Sequence, residues 1–325
     1  MAKKVVYVDY IFKNEEVEKK LFNEAGIDYI NASEKPIEEQ IEICSDADGV
    51  VSTFTLMDEK FISHLKKCKV LVRTGIGFNT IDIEAASDKN IMVANVRDYC
   101  IDEVADHAVA LSMALIRKLS ILEKSIKDKK SWSVNDARPI QRISTQTVCL
   151  YGLGATGKSY ASKMKAIGFK VVAYDPYQPD EIFEDLGIER ETDLDSLFKK
   201  ADIISIHVPL NDDTYHSVNE KMFSMMKDSA YIINVSRGEI IKEVDLVAAL
   251  KANKIAGAGL DVLESENPDL SDEIFSLDNV IITPHVAYYS EGSEDSLQEL
   301  SAMQAILAIN EGEPTYLVNR KQLGK

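Results

Sequence analysis

Two groups of residues in this chain have the types and the spacing for chemistry. Gly152, Gly154 and Gly157 follow an apolar run, Val148 to Tyr151, at GxGxxG spacing. In such a pattern the first glycine makes a tight turn and the second admits a pyrophosphate against the backbone. The third lets the following helix pack close to the strand. Asp175 closes the next apolar run, Lys170 to Tyr174. It lies roughly 20 residues on, where a carboxylate accepts bonds from an adenosine ribose. It would repel a 2′-phosphate, so NAD is expected rather than NADP. The second group is Arg237, Asp261 and His285, each at the end of a separate apolar run, with Glu266 nearby. Beside a nicotinamide, hydride transfer at a carbon bearing oxygen needs a group that binds and polarises the C–O bond. It also needs a group that moves the hydroxyl proton. The planar fork of Arg237 suits the first task, and His285 titrates in the range for the second. A carboxylate such as Glu266 would hold the imidazole in one tautomer and favour its charged form.

Other chemistries find no anchor. There is no HExxH, no GxSxG elbow and no Cys/His cluster with ligand spacing. His64, His107, His207, His216 and His285 are scattered, so no metal is expected, and His107 reads as structural. The 325 residues carry a net charge of −17, against the basic face a nucleic acid would need. No run of about 18 apolar residues predicts a membrane span. The four cysteines, Cys44, Cys68, Cys100 and Cys149, have no CxxC spacing and read as free thiols of a reducing cytoplasm. The first ten residues, MAKKVVYVDY, read as a strand rather than a leader.

The elements that must position these residues alternate. Strands are expected at Lys4–Asp9, Ile27–Ile30, Gly49–Ser52, Lys69–Arg73 and Met92–Asn95, with helices between them. After the dinucleotide unit come strands at Asp202–His207, Tyr231–Val235, Ala256–Asp261 and Asn279–Thr283. This alternation predicts α/β architecture with parallel sheets, whose strand ends hold ligands. Arg73, Gly75, Ile76 and Gly77 follow one such strand, where amide N–H groups and a guanidinium could hold a carboxylate. The longest helical pattern spans Asp98–Lys130. Ser131–Gln146 lacks periodicity and reads as a connection over an interdomain cleft.

The ordered motifs YGLGATGK, ADIISIHVPL, INVSRGEII, AGAGLDVLESENP and ITPHVAYYSE resemble the D-isomer-specific 2-hydroxyacid dehydrogenase family over nearly the whole chain. The resemblance implies catalytic Arg237, Glu266 and His285. It places Asp261 at the nicotinamide carboxamide. Further cofactor contacts are implied for Ala155, Thr156, Val208, Pro209, Val235 and Ser236, beside the three glycines, Asp175, Arg237 and His285. It implies two doubly wound parallel-sheet domains. A Rossmann NAD domain (99–288) would be inserted into a flavodoxin-like substrate domain (1–98 and 289–325), with the active site in the cleft. Asp98–Lys118 would be an interdomain and dimer helix in a homodimer, and a helix at about Ser293–Asn310 would return to the substrate domain.

RTGIGFNTID, NVRDYCIDEVADHA and PHVAYYSE look most like the branch of C-terminal-binding proteins and phosphoglycerate-dehydrogenase-like enzymes. There Arg73, with Ile76 and Gly77, would face the substrate carboxylate. Tyr288, a candidate substrate contact, stands where the C-terminal-binding proteins have tryptophan. Asn267 separates Glu266 from Pro268, which the family usually places directly after the acid. The expected activity is NAD-dependent interconversion of a small (R)-2-hydroxy acid and its 2-oxo acid. The alternatives are an NAD-sensing corepressor-like protein and a 3-phosphoglycerate dehydrogenase.

Overall fold

An unbroken apolar run is buried on both faces when its strand lies inside a parallel sheet covered by helices. The run after residue 146 shows this directly: Val148 and Leu150 enter one core, and Cys149 and Tyr151 the other. The computed structural model describes residues 3–325. Its chain divides into two units, residues 3–100 with Ser290–Lys325, and Ile101–Tyr289.

The first unit holds β1 (Lys3–Tyr7), β2 (Ile27–Asn31), β3 (Gly49–Ser52), β4 (Val70–Arg73) and β5 (Met92–Ala94), in the order β2-β1-β3-β4-β5. All pairings are parallel. One face packs Val6, Val50 and Leu71 against the helices at 37–44, 59–63 and 83–88. The other packs Val5, Val51 and Val72 against Phe22 and against Ala302, Ala305 and Ile309 of the helix Glu291–Asn310. That helix begins with a capping box between Ser290 and Ser293. Beyond it, buried Asn319 accepts from Val93 N at 2.9 Å and donates to Ile91 O at 2.9 Å. A side-chain amide thus stands in for a sheet ladder and joins the chain's end to β5.

The second unit holds β6 (Thr147–Tyr151), β7 (Lys170–Tyr174), β8 (Glu189–Arg190), β9 (Ile203–Ile206), β10 (Tyr231–Asn234), β11 (Gly257–Leu260) and β12 (Val280–Ile282). Its order is β12-β11-β10-β9-β6-β7-β8, again parallel throughout. The two doubly wound parallel sheets match the expected fold class.

One helical expectation needs correction. The pattern at Asp98–Lys130 is two helices, Ile101–Ile116 and Leu119–Lys127. Between them Lys118 takes a left-handed φ of 54°, which ends one helix and redirects the next. The longest helix is therefore Glu291–Asn310. The connection at Ser131–Gln146 contains two short 3₁₀ turns, Val134–Ala137 and Ile143–Thr145.

Candidate active site

The strand order sets the site within the second unit. β12, β11 and β10 are neighbours, and beyond them β9, β6 and β7 follow in sequence across the sheet. His285, Glu266 and Arg237 follow the first three. Val208, the glycines and Asp175 follow the other three.

His285 has a left-handed backbone, φ 52°, a conformation costing a side-chain-bearing residue roughly 1–2 kcal/mol. Asp261, buried at 1 % exposure, holds that turn. Its carbonyl accepts from His285 N at 2.8 Å. Its carboxylate accepts from Val286 N at 3.0 Å, Ala287 N at 2.9 Å and Thr283 Oγ1 at 2.5 Å. His107 Nε2 lies 2.9 Å from the same threonine hydroxyl. The Asp261 carboxylate thus ties the turn after β12 back to the end of β11. Asp261, Thr283 and His107 position His285, and of these three only Asp261 was singled out for the site from sequence.

The His285 ring meets Glu266 with Nδ1 to Oε2 at 2.9 Å. A carboxylate only accepts, so Nδ1 is the donor of this bond. Arg237 follows β10 and is braced by Asn234. That fully buried amide donates to Arg237 O at 2.8 Å and accepts from Ser236 N at 3.0 Å. Ser236 Oγ donates to Ile206 O at 2.9 Å, tying the turn to β9. Arg237 Nη1 donates to Ser236 O at 2.7 Å.

The loops bearing Arg237 and Glu266 abut. A Cβ at Gly238 would sit 1.8 Å from Leu263 O. Glu243 N donates to Glu264 Oε1 at 2.9 Å and Glu264 N to Glu243 Oε2 at 3.1 Å, a reciprocal brace. His216 Nε2 adds a contact to Glu264 Oε1 at 2.8 Å. Burial raises the Glu243 carboxyl, an effect that the Glu264 amide bond opposes.

The glycines fit a dinucleotide cradle. A Cβ at Gly152, φ 99°, would lie 2.7 Å from the His207 carbonyl, and one at Gly157 would lie 2.7 Å from Gly152 O. These two are required by the protein's own packing. A Cβ at Gly154 would meet nothing within 4 Å. Gly154 caps the helix Ala155–Ile167, whose first turn carries no acid. The amides of Ala155, Thr156 and Gly157 have no acceptor within the helix and suit a pyrophosphate. Asp175 Oδ2 accepts from Leu153 N at 2.8 Å and Oδ1 from Tyr177 N at 2.9 Å, which fixes the carboxylate at the end of β7. Burial drives His207 down to about 3, so it is neutral beneath the cradle. Val208 and Pro209 follow on the surface side, whereas Val235 is buried and offers a cofactor only its backbone.

Gly154 gives a clean test. Its φ of −70° and ψ of −166° are open to alanine. Gly154→Ala is expected to change unfolding stability by less than about 1 kcal/mol and to weaken NADH binding at least tenfold, measured by fluorescence titration. Unchanged NADH affinity would remove Gly154 from the cradle.

Glu266 and His285 meet in the second unit, Arg237 follows β10 next to β11, and half-buried Tyr288 lies three residues beyond His285. Arg73, Ile76 and Gly77 belong to the first unit. There the Gly75–Gly77 turn is held from behind, with Val96 N donating to Gly75 O at 3.0 Å and Asn95 Nδ2 to Ile76 O at 2.7 Å. A Cβ at Gly75, φ 125°, would sit 1.9 Å from Arg73 Nη1, so the guanidinium lies against this turn.

The family model for the D-isomer specific 2-hydroxyacid dehydrogenase, NAD binding domain, matches residues 109–287. A glyoxylate reductase of Thermococcus litoralis is 33% identical over 291 residues, covering 87% of this chain and 87% of its own. A D-3-phosphoglycerate dehydrogenase of Methanocaldococcus jannaschii is 36% identical over 82% of this chain, which spans only about half, 51%, of that protein's length. The D-isomer specific 2-hydroxyacid dehydrogenase of Lactobacillus delbrueckii ssp. bulgaricus, solved in its NAD complex, superposes with a TM-score of 0.83 at 27% identity. It covers 97% of this chain and 100% of its own. The family match falls on the unit that carries both the glycine cradle and the Arg–Glu–His edge, and the whole-length relatives extend it to both units: this chain belongs to the NAD-dependent D-isomer specific 2-hydroxyacid dehydrogenase family.

Proposed function

We propose that the protein reduces a small 2-oxo acid to its (R)-2-hydroxy acid, and runs the reverse oxidation, with NAD(H). NADH held at the glycine cradle supplies the hydride that C2 receives. Arg237 binds the carboxylate or the C2 oxygen and stabilises the charge that develops there. His285 gives its Nε2 proton to that oxygen, so the product carries one hydride and one proton more than the oxo acid. Glu266 holds Nδ1 and stabilises the imidazolium before the transfer. Arg73 and the free amides of Ile76 and Gly77 are assigned the substrate carboxylate, with Tyr288 as a further contact. In this reading residues 1–98 with 289–325 serve the substrate, and 99–288 serve the cofactor.

The observation that carries the reading is the 2.9 Å His285–Glu266 pair on strands next to Arg237. NADH oxidation with glyoxylate, pyruvate, hydroxypyruvate, branched 2-oxo acids and 2-oxoglutarate is expected for at least one acid. No oxidation with any of them, in protein shown to bind NADH, overturns the enzymatic reading and favours the NAD-sensing, corepressor-like one. The likeness to a D-3-phosphoglycerate dehydrogenase makes 3-phosphoglycerate the rival substrate for the same assay.

We further propose a cytoplasmic homodimer. Free thiols at all four cysteines support a reducing compartment. Exposed Ile126, Trp132 and Val134 line one shallow apolar depression on the second unit that suits a second copy.

A further inference from the structure

The first unit exposes six large apolar side chains among the described residues, and five of them follow the C-terminal ends of adjacent strands. Ile11 follows β1, Phe54 and Leu56 follow β3, and Ile76 and Phe78 follow β4. Phe54 is 71 % exposed and Leu56 61 %. An isolated exposed residue needs no explanation, but five around one sheet edge do.

The loops that carry them are built rather than loose. Asp9 accepts from Thr53 N at 2.5 Å, Phe54 N at 2.9 Å, Thr55 N at 2.7 Å and Ser52 Oγ at 3.0 Å. Burial would raise this carboxyl, yet the amide bonds hold it below the usual range. The loop after β3 is tied in turn to the loop after β4. Met57 N donates to Thr80 O at 2.8 Å, and Asp82 N donates to Met57 O at 3.0 Å. Fixed backbone thus holds Phe54 and Leu56 in water on loops contiguous with the Arg73–Gly77 turn. Of the cations on these loops, Arg73 lies against Gly75, and Lys13 is ion-paired with Glu291.

We infer that this apolar collar receives the side chain of the substrate, and that the substrate is a 2-oxo acid with a branched aliphatic or aromatic side chain rather than glyoxylate or a phosphorylated acid. The inference rests on the proposed hydride transfer, with the substrate carboxylate at Arg73 and the Ile76 and Gly77 amides. A side chain leaving that carboxylate meets hydrocarbon on three neighbouring loops. A phosphate placed among these side chains would lose water to hydrocarbon, whereas the second guanidinium at this edge, Arg97, lies beyond β5 with its Nε on Asn95 Oδ1 at 3.1 Å.

The test compares kcat/KM with NADH for 4-methyl-2-oxopentanoate, phenylpyruvate, glyoxylate and 3-phosphohydroxypyruvate, in the wild type and in Phe54→Ser and Leu56→Ser. Each buried methylene is worth roughly fourfold. The larger apolar acids are expected to exceed glyoxylate at least tenfold. Each variant is expected to lower the ratio of 4-methyl-2-oxopentanoate to glyoxylate by about tenfold. A preference for glyoxylate or the phosphorylated acid overturns the inference, as does an equal loss on every acid. If no acid is turned over, the hydride-transfer reading fails, and side-chain selectivity is read by binding of (R)-2-hydroxy-4-methylpentanoate against glycolate to the NAD complex. Equal binding then overturns the collar, and tighter binding of the larger acid that is lost in Phe54→Ser upholds it. A changed oligomeric state in the variants with an unchanged substrate ratio makes the collar a contact between copies and also overturns it.

Discussion

His285→Asn is expected to bind NADH as the wild type does and to reduce its 2-oxo acid roughly 10³-fold more slowly, since a positioned acid contributes about 10²–10⁴. Asparagine is the right replacement because the position has φ 52°, which asparagine adopts more readily than alanine. The Asp261 contacts to Val286, Ala287 and Thr283 then survive, and the loss reports the imidazole rather than a collapsed turn. Glu266→Gln is expected to cost less, about ten- to hundredfold, because an amide oxygen still accepts from Nδ1 but no longer stabilises a charged ring. The decisive measurement is the double variant. Glu266 acts through the ring it holds at 2.9 Å, so in the His285→Asn background Glu266→Gln is expected to add almost nothing. If the two losses multiply instead, Glu266 has a separate role and the proton-transfer pair is wrong. If His285→Asn keeps wild-type turnover, the pair has no part in the reaction.

What the sequence made legible here was local or strand-end. The glycine spacing, the acid closing β7 and the residues ending β10, β11 and β12 are read from a few neighbouring positions, and a parallel sheet carries strand ends to one edge. Three things were hidden, each for a physical reason. The break at Lys118 is a single left-handed residue without glycine or proline, and Leu115, Leu119 and Leu122 keep helical spacing across it. The short helix Asp180–Leu186 is too brief and too acidic to show a convincing apolar stripe. The support of the site is long-range: His107 meets Thr283, Asn234 holds the Arg237 turn, and Glu243 exchanges bonds with Glu264. A lone histidine on an apolar helix or a glutamate beginning a helix carries no signal of such a partner. Asp261 is instructive because the motif marks the residue but not the bonds its carboxylate makes. Gly238 belongs to the same class, since a glycine after an arginine looks like an ordinary turn until the opposite backbone is seen.

That glycine supports the second large effect. Gly238→Ala is expected to lower kcat/KM by two to three orders of magnitude and to destabilise the fold by about 1–3 kcal/mol, as overpacking does. The added methyl would have to occupy a point 1.8 Å from Leu263 O and 2.5 Å from Glu264 N. Both atoms are backbone, so no rotamer change relieves the clash, and the two loops must part. One carries Arg237 and the other carries Glu266, whose contact with His285 depends on the same loop. A displacement near 1 Å at such a site costs roughly 10² in rate. Leu263→Ala supplies the control. It removes a side chain but leaves the carbonyl in place, so combining it with Gly238→Ala is expected to restore nothing. Rescue in the double variant would mean that the side chain, not the backbone, sets the approach. A Gly238→Ala protein that folds with wild-type kcat/KM would show that Arg237 and the Glu266–His285 pair tolerate independent movement, which a charge-stabilising guanidinium acting beside a proton donor does not allow.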